Sequence, residues 1–185
     1  MAFVQGNNHA VGTAKTEGNC GEDERMIIGI AGKAGAGKST LAKIVCGMMW
    51  DNSAFRVERR GFADPVKEIA RTFFGWNGEK DDNGRRLLQD IGMAGRLYDE
   101  DIWVNKMRPH LSDDICTVID DVRFNNEAML CHRRGTHILI SGRSDDLGEN
   151  SGHASEKGID IQPDFRIVND GDLVALESQA REIVR

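Results

Sequence analysis

Several things are missing from this chain, and each absence narrows what it can be. No apolar run approaches the roughly 20 residues needed to cross a bilayer. The first residues, Met1-Ala2-Phe3-Val4-Gln5-Gly6, lack the basic start and apolar centre of a signal peptide. A cytoplasmic protein with no membrane partner is expected. Positive charge is in deficit, with 24 Lys and Arg against 30 Asp and Glu, and the net charge is −6. That argues against nucleic acid as a partner, because a broad face for it needs excess cations. A few local arginines can still hold a small anion. Cys20, Cys46, Cys116 and Cys131 form no C-x-x-C and no zinc-like spacing. Cys131 and His132 are adjacent, but no second pair sits at ligand distance, so the thiols read as reduced core fillers. There is no internal repeat and no linker. A length of 185 residues suits one domain around one sizeable core.

Glycine, by contrast, is plentiful and concentrated in one stretch. Gly32 to Ser39 reads GKAGAGKS and satisfies G-x-x-x-x-G-K-[ST], the phosphate-cradling P-loop. The bare pattern arises by chance in roughly one chain in a hundred of this length at average residue usage. Here it also follows an apolar run, Met26 to Ile30, and precedes a helical pattern. Glycines let the backbone turn sharply and aim several N–H groups at one anion. The positive end of the following helix points the same way. Gly32, Lys33, Ala34, Gly35, Ala36, Gly37, Lys38, Ser39 and Thr40 are therefore candidates for the phosphates of a nucleotide, with Lys38 on the β- and γ-phosphates and the Ser39 hydroxyl on Mg²⁺.

Along the chain, residues 1–24 are polar and lack periodicity, which predicts a flexible extension before a domain spanning 25–185. Met26 to Ile30 predicts a buried parallel strand. Leu41, Ile44, Val45, Met48 and Met49 make one face of a helix ending near Asp51-Asn52. Ala54 to Phe62 predicts a second strand. Asp64 and Pro65 then open a helix as N-cap and first turn, with Val66, Ile69, Ala70, Phe73 and Phe74 inward and Gly75 at its end. After a polar loop from Trp76 to Gly84, a helix from Arg85 to Tyr98 carries Leu87, Leu88, Ile91 and Leu97, weakened by Gly92 and Gly95. Asp99 to Leu111 reads as another helix, with Ile102, Trp103, Met107 and Leu111 inward. Ile115 to Ile119 is β-branched and apolar, a buried strand that delivers Asp120 and Asp121 at its carboxyl end. Asn125 caps a helix closed by Gly135. His137 to Ile140 and Phe165 to Val168 are further strands. Residues 141–158 predict a long loop or lid, and the last helix places Leu173, Leu176, Ala180, Ile183 and Val184 on one face. Strands alternating with helices define an α/β protein: a parallel sheet of about five strands flanked by helices, with ligands at the strands' carboxyl ends.

The P-loop, Asp120-Asp121, Arg143 and Asn169 each follow a predicted strand, so one cleft gathers them. Asp121 or Asp120 is the candidate acid for the magnesium site, acting through water or through Ser39. A substrate phosphate needs arginines, whose planar forks match its oxygens. Arg59, Arg60, Arg71, Arg85, Arg86, Arg96, Arg123 and Arg143 are available, and Arg123 and Arg143 are best placed by position. Among the aromatics, Phe73 and Phe74 read as core, and Trp103 as either core or a stacking surface for a base.

Taken together, the remaining motifs are more specific. The segments GIAGKAGAGKST (29–40), FADPVKEIA (62–70), RRLLQDIGMAGR (85–96), DEDIWV (99–104), DVRFNNEA (121–128), GRS with HASEKGI (142–144, 153–159) and IVNDGDL (167–173) resemble the phage deoxynucleoside monophosphate kinase family of the P-loop nucleoside-kinase superfamily. The resemblance covers nearly everything after residue 25. It implies transfer of the γ-phosphoryl group of ATP, with Mg²⁺, to a deoxynucleoside 5′-monophosphate, in host cytoplasm if the chain is viral. It also implies a homodimer. By position, Asp121, Arg123 and Glu127 would line the catalytic cleft with Lys38. Asp64, Arg85 or Arg86, Gln89 and Trp103 would belong to a monophosphate-binding region spanning about 62–111. Arg143 would approach the transferred phosphate from a lid at about 142–160, and Asn169 would lie near the adenine of ATP. Two departures stand out: Asn125 replaces the proline that usually follows DVRF, and the lid carries few basic residues. The second leaves charge neutralisation to Lys38, Arg123, Arg143 and Mg²⁺.

Other readings remain open. Dephospho-coenzyme A kinases resemble the chain at the P-loop, the strand-ending Asp and N-D-G-x-L. A GTP-dependent switch needs N-K-x-D, and the nearest match, Asn105-Lys106-Met107-Arg108, lacks the acid. A non-catalytic nucleotide-binding subunit is the third. The only tyrosine, Tyr98, is a candidate for packing where a ribose 2′-hydroxyl would sit.

Overall fold

The computed structural model describes residues 27–52, 56–112, 114–142 and 159–184. Five strands, β1 (Ile27–Ala31), β2 (Arg56–Arg60), β3 (Ile115–Val122), β4 (Gly135–Ser141) and β5 (Phe165–Val168), form one parallel sheet in the order β2-β3-β1-β4-β5. Central β1 pairs Ile28 with Val118 on one side and with Thr136 on the other. With a strand on each edge and helices over both faces, every residue of β1 is buried, which is why it reads as an unbroken apolar run. The helices are α1 (Lys38–Asn52), α2 (Asp64–Phe74), α3 (Asp82–Tyr98), α4 (Ile102–Met107), α5 (Asn125–Arg134) and α6 (Leu173–Ile183).

Strand alternation sorts the core into two layers. Ile28, Ile30, Val118, Ile138 and Ile140 pack with Leu41, Val45 and Met49 of α1 and Leu176 and Ala180 of α6. Ile27, Ala31, Ile119 and Val122 pack on the opposite face with Val104 and Met107 of α4 and Ala128, Leu130 and Cys131 of α5. This is the expected α/β arrangement, and it sets the P-loop at the carboxyl end of β1 between β3 and β4.

The differences from the expected elements are local. β1 is shifted by one residue. β2 ends at Arg60, so Phe62 turns into the core instead of extending the strand. β3 runs on through Val122, placing Asp120 and Asp121 within it. Asp64 and Asn125 are first helical residues and not caps; Ala63 and Phe124 hold the cap positions. The expected helix over 99–111 is a six-residue α4 followed by a 3-10 turn, Arg108–His110, where Pro109 cannot donate to an α-helical ladder. Phe73 and Phe74, expected inward, are 77% and 61% exposed. α2 packs through Val66 and Ala70, and its last turn projects past the core before Gly75 stops it in the left-handed conformation. Leu97 and Leu173 are likewise exposed at helix ends. The extension 1–24 and residues 143–158 of the expected lid lie outside the described residues. No helix among the described residues is long and apolar enough to cross a membrane.

Gly92 and Gly95, which cost α3 intrinsic helicity, are explained by Trp103. The Trp103 indole is buried, and its Nε1 donates to the Gly92 carbonyl at 3.0 Å. A Cβ on Gly95 would stand 2.4 Å from its ring. Gly47 of α1, by contrast, faces open space. Gly47→Ala should raise stability by about 0.5–1 kcal/mol through helix propensity alone. Gly95→Ala should instead lower it by about 1–3 kcal/mol, because overpacking outweighs the same propensity gain. Urea denaturation of the two variants checks the opposite signs.

Candidate functional site

The P-loop is held by contacts too close for side chains. Gly32 has φ 153°, and a Cβ there would stand 2.3 Å from the Ile140 carbonyl oxygen. Gly37 has φ 102°, and its Cβ would meet Asn169 Nδ2 at 2.4 Å. That amide donates to the Ala36 carbonyl at 2.9 Å, while the Asn169 backbone N–H donates to Ser141 at 2.7 Å. Asn169 therefore fastens the loop to the ends of β4 and β5. Ala36 is buried as the loop's inward anchor, while Lys33, Ala34 and Gly35 stand on its exposed rim. Lys38 Nζ donates to the Gly32 and Lys33 carbonyls, both at 2.6 Å, arching its ammonium over the loop. Thr40 is exposed on the first turn of α1, and its N–H donates to the Gly37 carbonyl at 3.0 Å, closing that turn. A glycine-rich turn, the N-terminus of α1 and an ammonium lie together here, a combination that suits a polyphosphate.

Consecutive strand residues face opposite ways, and this divides the acid pair. Asp120 shares a face with Val118 and turns toward α1, where its Oδ2 accepts from Ser39 Oγ at 2.7 Å and from the Arg59 guanidinium. Burial pushes the Asp120 carboxyl up, but the bonds from Arg59 and Ser39 and the Arg59 charge outweigh it, so it sits below the usual carboxylate range. Asp121 turns the other way. Its Oδ1 accepts from the Phe62 N–H at 2.8 Å and its Oδ2 from the Ala63 N–H at 3.0 Å. Burial raises the Asp121 carboxyl, with those two bonds only partly opposing. Thus Asp120, and not Asp121, lies beside Ser39, and Asp121 anchors the turn between β2 and α2. Asp64 closes that same turn: its Oδ2 accepts from Gly61 N–H at 2.7 Å and its Oδ1 pairs with Lys67 at 2.6 Å. It also lines a cavity of about 180 Å³ between α2 and α4 with Trp103, Lys106 and His110.

A second polar group forms where β3 meets α5. Glu127 is 2% exposed, and its Oε2 accepts from the backbone N–H groups of Arg123 (2.9 Å) and Phe124 (3.2 Å), satisfying donors at the start of α5. Its Oε1 takes the Arg96 guanidinium at 2.7 Å. Arg96 also lies 3.7 Å from the centre of the Phe124 ring. Burial dominates both partners: it pushes Glu127 up to about 7, against the Arg123 N–H bond and the Arg96 charge, and pulls Arg96 down. The charge of Arg123 is close enough to press Arg96 down further. Arg123 itself is exposed and carries no side-chain hydrogen bond or ion pair among the described residues. Asn125, in the place of the usual proline, grips the returning chain: its Nδ2 donates to Asp160 Oδ2 at 3.0 Å, and its Oδ1 accepts the Asp160 N–H at 2.8 Å.

On α3, Arg85, Gln89, Gly92 and Arg96 recur at helical spacing and share one stripe. Arg85 and Gln89 are exposed along it, leading to the Arg96–Glu127 pair. Arg86 lies a quarter turn away, 3.8 Å from Asp90. Tyr98 is 88% exposed on the face opposite Arg96, so it does not border this stripe. Trp103 is a packing residue between α3 and α4, leaving only an edge on the cavity beside Asp64. Arg143 lies outside the described residues. Arg59 and Arg96 stood among the candidate arginines without an assigned role. The signal for Arg96 was present in its spacing from Arg85; that for Arg59 needed the parity of two strands.

The donor set fits the groups the loop implies. Ser39 and Asp120 offer a hydroxyl and a carboxylate 2.7 Å apart, the hard oxygens that Mg²⁺ takes, usually with retained waters. Among the described residues no group of three or more His, Cys, Asp or Glu side chains is placed to hold a metal. Sheet order and loop together define the class: an α/β P-loop fold with a glycine-rich loop at the carboxyl end of β1. No family model matches the chain, and no curated protein matches it. Solved structures similar to it include APS kinase CysC of Mycobacterium tuberculosis (11% identity, 86% of this chain and 94% of that one, TM-score 0.45). A second structure of that enzyme, with AMPPNP and APS, is 12% identical over 86% of this chain and 95% of that one, TM-score 0.43. Shikimate kinase from Bacteroides thetaiotaomicron is 11% identical over 85% of this chain and 95% of that one, TM-score 0.44.

The raised Glu127 has a consequence with a definite sign. Its carboxyl ionises near 4.5 in the unfolded chain and about 7 in the folded one, so the folded state holds the proton longer. Its contribution to stability is greatest below pH 4.5 and falls as pH rises to 7, by on the order of 3 kcal/mol in total. Glu127→Gln should flatten the fall of stability across that window relative to wild type, measured by urea titrations at several pH values.

Proposed function

We propose that this chain is a small-molecule kinase that transfers the γ-phosphoryl group of ATP to a deoxynucleoside 5′-monophosphate. The observation that carries the reading is two groups of cationic side chains, one beside the loop after β1 and one where β3 meets α5. The P-loop with Lys38, Ser39 and Asp120 forms one. Arg123 with the buried Arg96–Glu127 pair, continued by Arg85 and Gln89, forms the other. A switch or an ATPase needs only the first. Two sets of phosphate-matching groups suit a donor and an acceptor, and the ordered motifs from FADPVKEIA to IVNDGDL favour a deoxynucleotide.

In this mechanism an oxygen of the acceptor monophosphate attacks the γ-phosphorus in line, and the bond to the β-phosphate oxygen breaks. Positioning and charge stabilisation supply the catalysis, with no covalent enzyme intermediate. Lys38 moves from the loop carbonyls to the β- and γ-phosphates. Arg123 meets the equatorial oxygens from the acceptor side; a role for Arg143, outside the described residues, rests on the resemblance alone. Ser39 and Asp120 are the residues that would hold Mg²⁺, which would supply charge neutralisation of the phosphates. Glu127 is a positioning residue: it fixes the Arg123 backbone and orients Arg96. Arg85 and Gln89 are assigned to reading the acceptor, because they share the stripe of Arg96, with Arg86 as the alternative to Arg85. Asp121 keeps the β2–α2 turn in place below the acceptor.

Lys38→Ala should lower turnover by about a hundredfold or more without changing the thermal midpoint by more than a degree or two. A coupled assay with ATP, Mg²⁺ and a panel of deoxy- and ribonucleoside monophosphates tests the substrate. Turnover of deoxynucleotides is expected. Turnover of dephospho-coenzyme A with no monophosphate active would reverse the assignment, and near-normal activity in Lys38→Ala would end it.

A further inference from the structure

One charged group near the cradle is not used by the mechanism above. Arg59, on β2, lies in register with Val118 and so points to the α1 face, as Asp120 does. Its guanidinium donates to Asp120 Oδ2, the same oxygen that accepts from Ser39 Oγ at 2.7 Å. The neighbouring Arg60 is committed elsewhere, to Glu58 at 2.6 Å. Asp120 is the only partner of Arg59 among the described residues, and 38% of the Arg59 side chain is exposed, so it has room to leave. The arrangement puts a monovalent cation on the carboxylate oxygen that Mg²⁺ needs, and a divalent cation beside Ser39 would repel it.

We propose that Arg59 is a resident placeholder cation, seated on Asp120 when no metal is bound and displaced by Mg²⁺ arriving with the nucleotide. Without it, Asp120 would sit beside Ser39 uncompensated in a half-buried site, which costs stability when no metal is present. With it, metal entry exchanges one cation for another instead of assembling a site from an unpaired acid. This inference rests on the Mg²⁺–nucleotide reading of the cradle and is independent of which acceptor is phosphorylated.

The test is equilibrium binding of ADP, by calorimetry, with and without Mg²⁺. Arg59→Ala removes the competitor, so the affinity for Mg²⁺–ADP should rise about fivefold, the worth of one partly exposed ion pair. Metal-free ADP should bind no more tightly than to wild type. The thermal midpoint without metal should fall and be recovered by Mg²⁺–ADP. Arg59→Lys, which keeps a cation but not the fork, should lie between wild type and Arg59→Ala; Arg59→Gln serves in the same role if the alanine variant does not fold. Unchanged or weaker Mg²⁺–ADP affinity in every variant that lacks a charge at 59 overturns the proposal. Asp120→Asn separates this from the site reading: if it leaves the Mg²⁺ dependence of ADP binding intact, the Ser39–Asp120 metal site itself is wrong.

Discussion

The carbonyl oxygen of Ile140 lies where a side chain on residue 32 would begin, and the cradle depends on that contact. Because Gly32 adds nothing beyond its backbone, the loop can leave β1 and lie directly on the end of β4. Asn169, at the end of β5, then closes the other side through Ala36 and the space above Gly37. The ends of β1, β4 and β5 thus hold a loop with little conformational freedom of its own. This is preorganisation in a specific sense: contacts with β4 and Asn169 fix the path of the loop, so the cost of ordering it is met during folding.

The same sheet separates two jobs given to adjacent acids. Asp120 and Asp121 differ by one position, and strand alternation sends one toward α1 and the other toward the start of α2. A one-residue slip in β3 would exchange them and also turn Ile119 out of its core layer. The register that buries the apolar residues of β3 is therefore the register that places a carboxylate beside Ser39. Packing and chemistry are specified by the same hydrogen-bonded ladder.

Much of the architecture was legible in the residues because its signals are periodic. The apolar runs of β1 and β3, the 3-4 spacing of α1 and the turn at Gly75 each point to one structure. What resisted was whatever depends on distance across the fold. Nothing local distinguishes Asp120 from Asp121 until one knows which face of β3 α1 covers. Phe73 and Phe74 keep the helical spacing of a core face, yet no layer remains beneath the last turn of α2, so periodicity overstated the core. Glu127 stood out by resemblance as a cleft residue, but its burial and its grip on Arg96, 31 residues earlier, are visible only in three dimensions. Asn169 shows the reverse: position alone brought it to the cleft, and the structure spends its amide on the loop and not on open space.

Trp103 and the two glycines of α3 carry an implication for how such a chain can change over generations. The indole fills space that exists only because positions 92 and 95 lack side chains, and its Nε1 is satisfied by the Gly92 carbonyl. A larger residue at 95 collides with the ring, while a smaller residue at 103 leaves a void and a helix weakened by two unsupported glycines. Neither route has a first step without cost. The three positions are therefore expected to be inherited as a unit, and a lineage that abandons one must pass through a less stable ancestor or replace all three together.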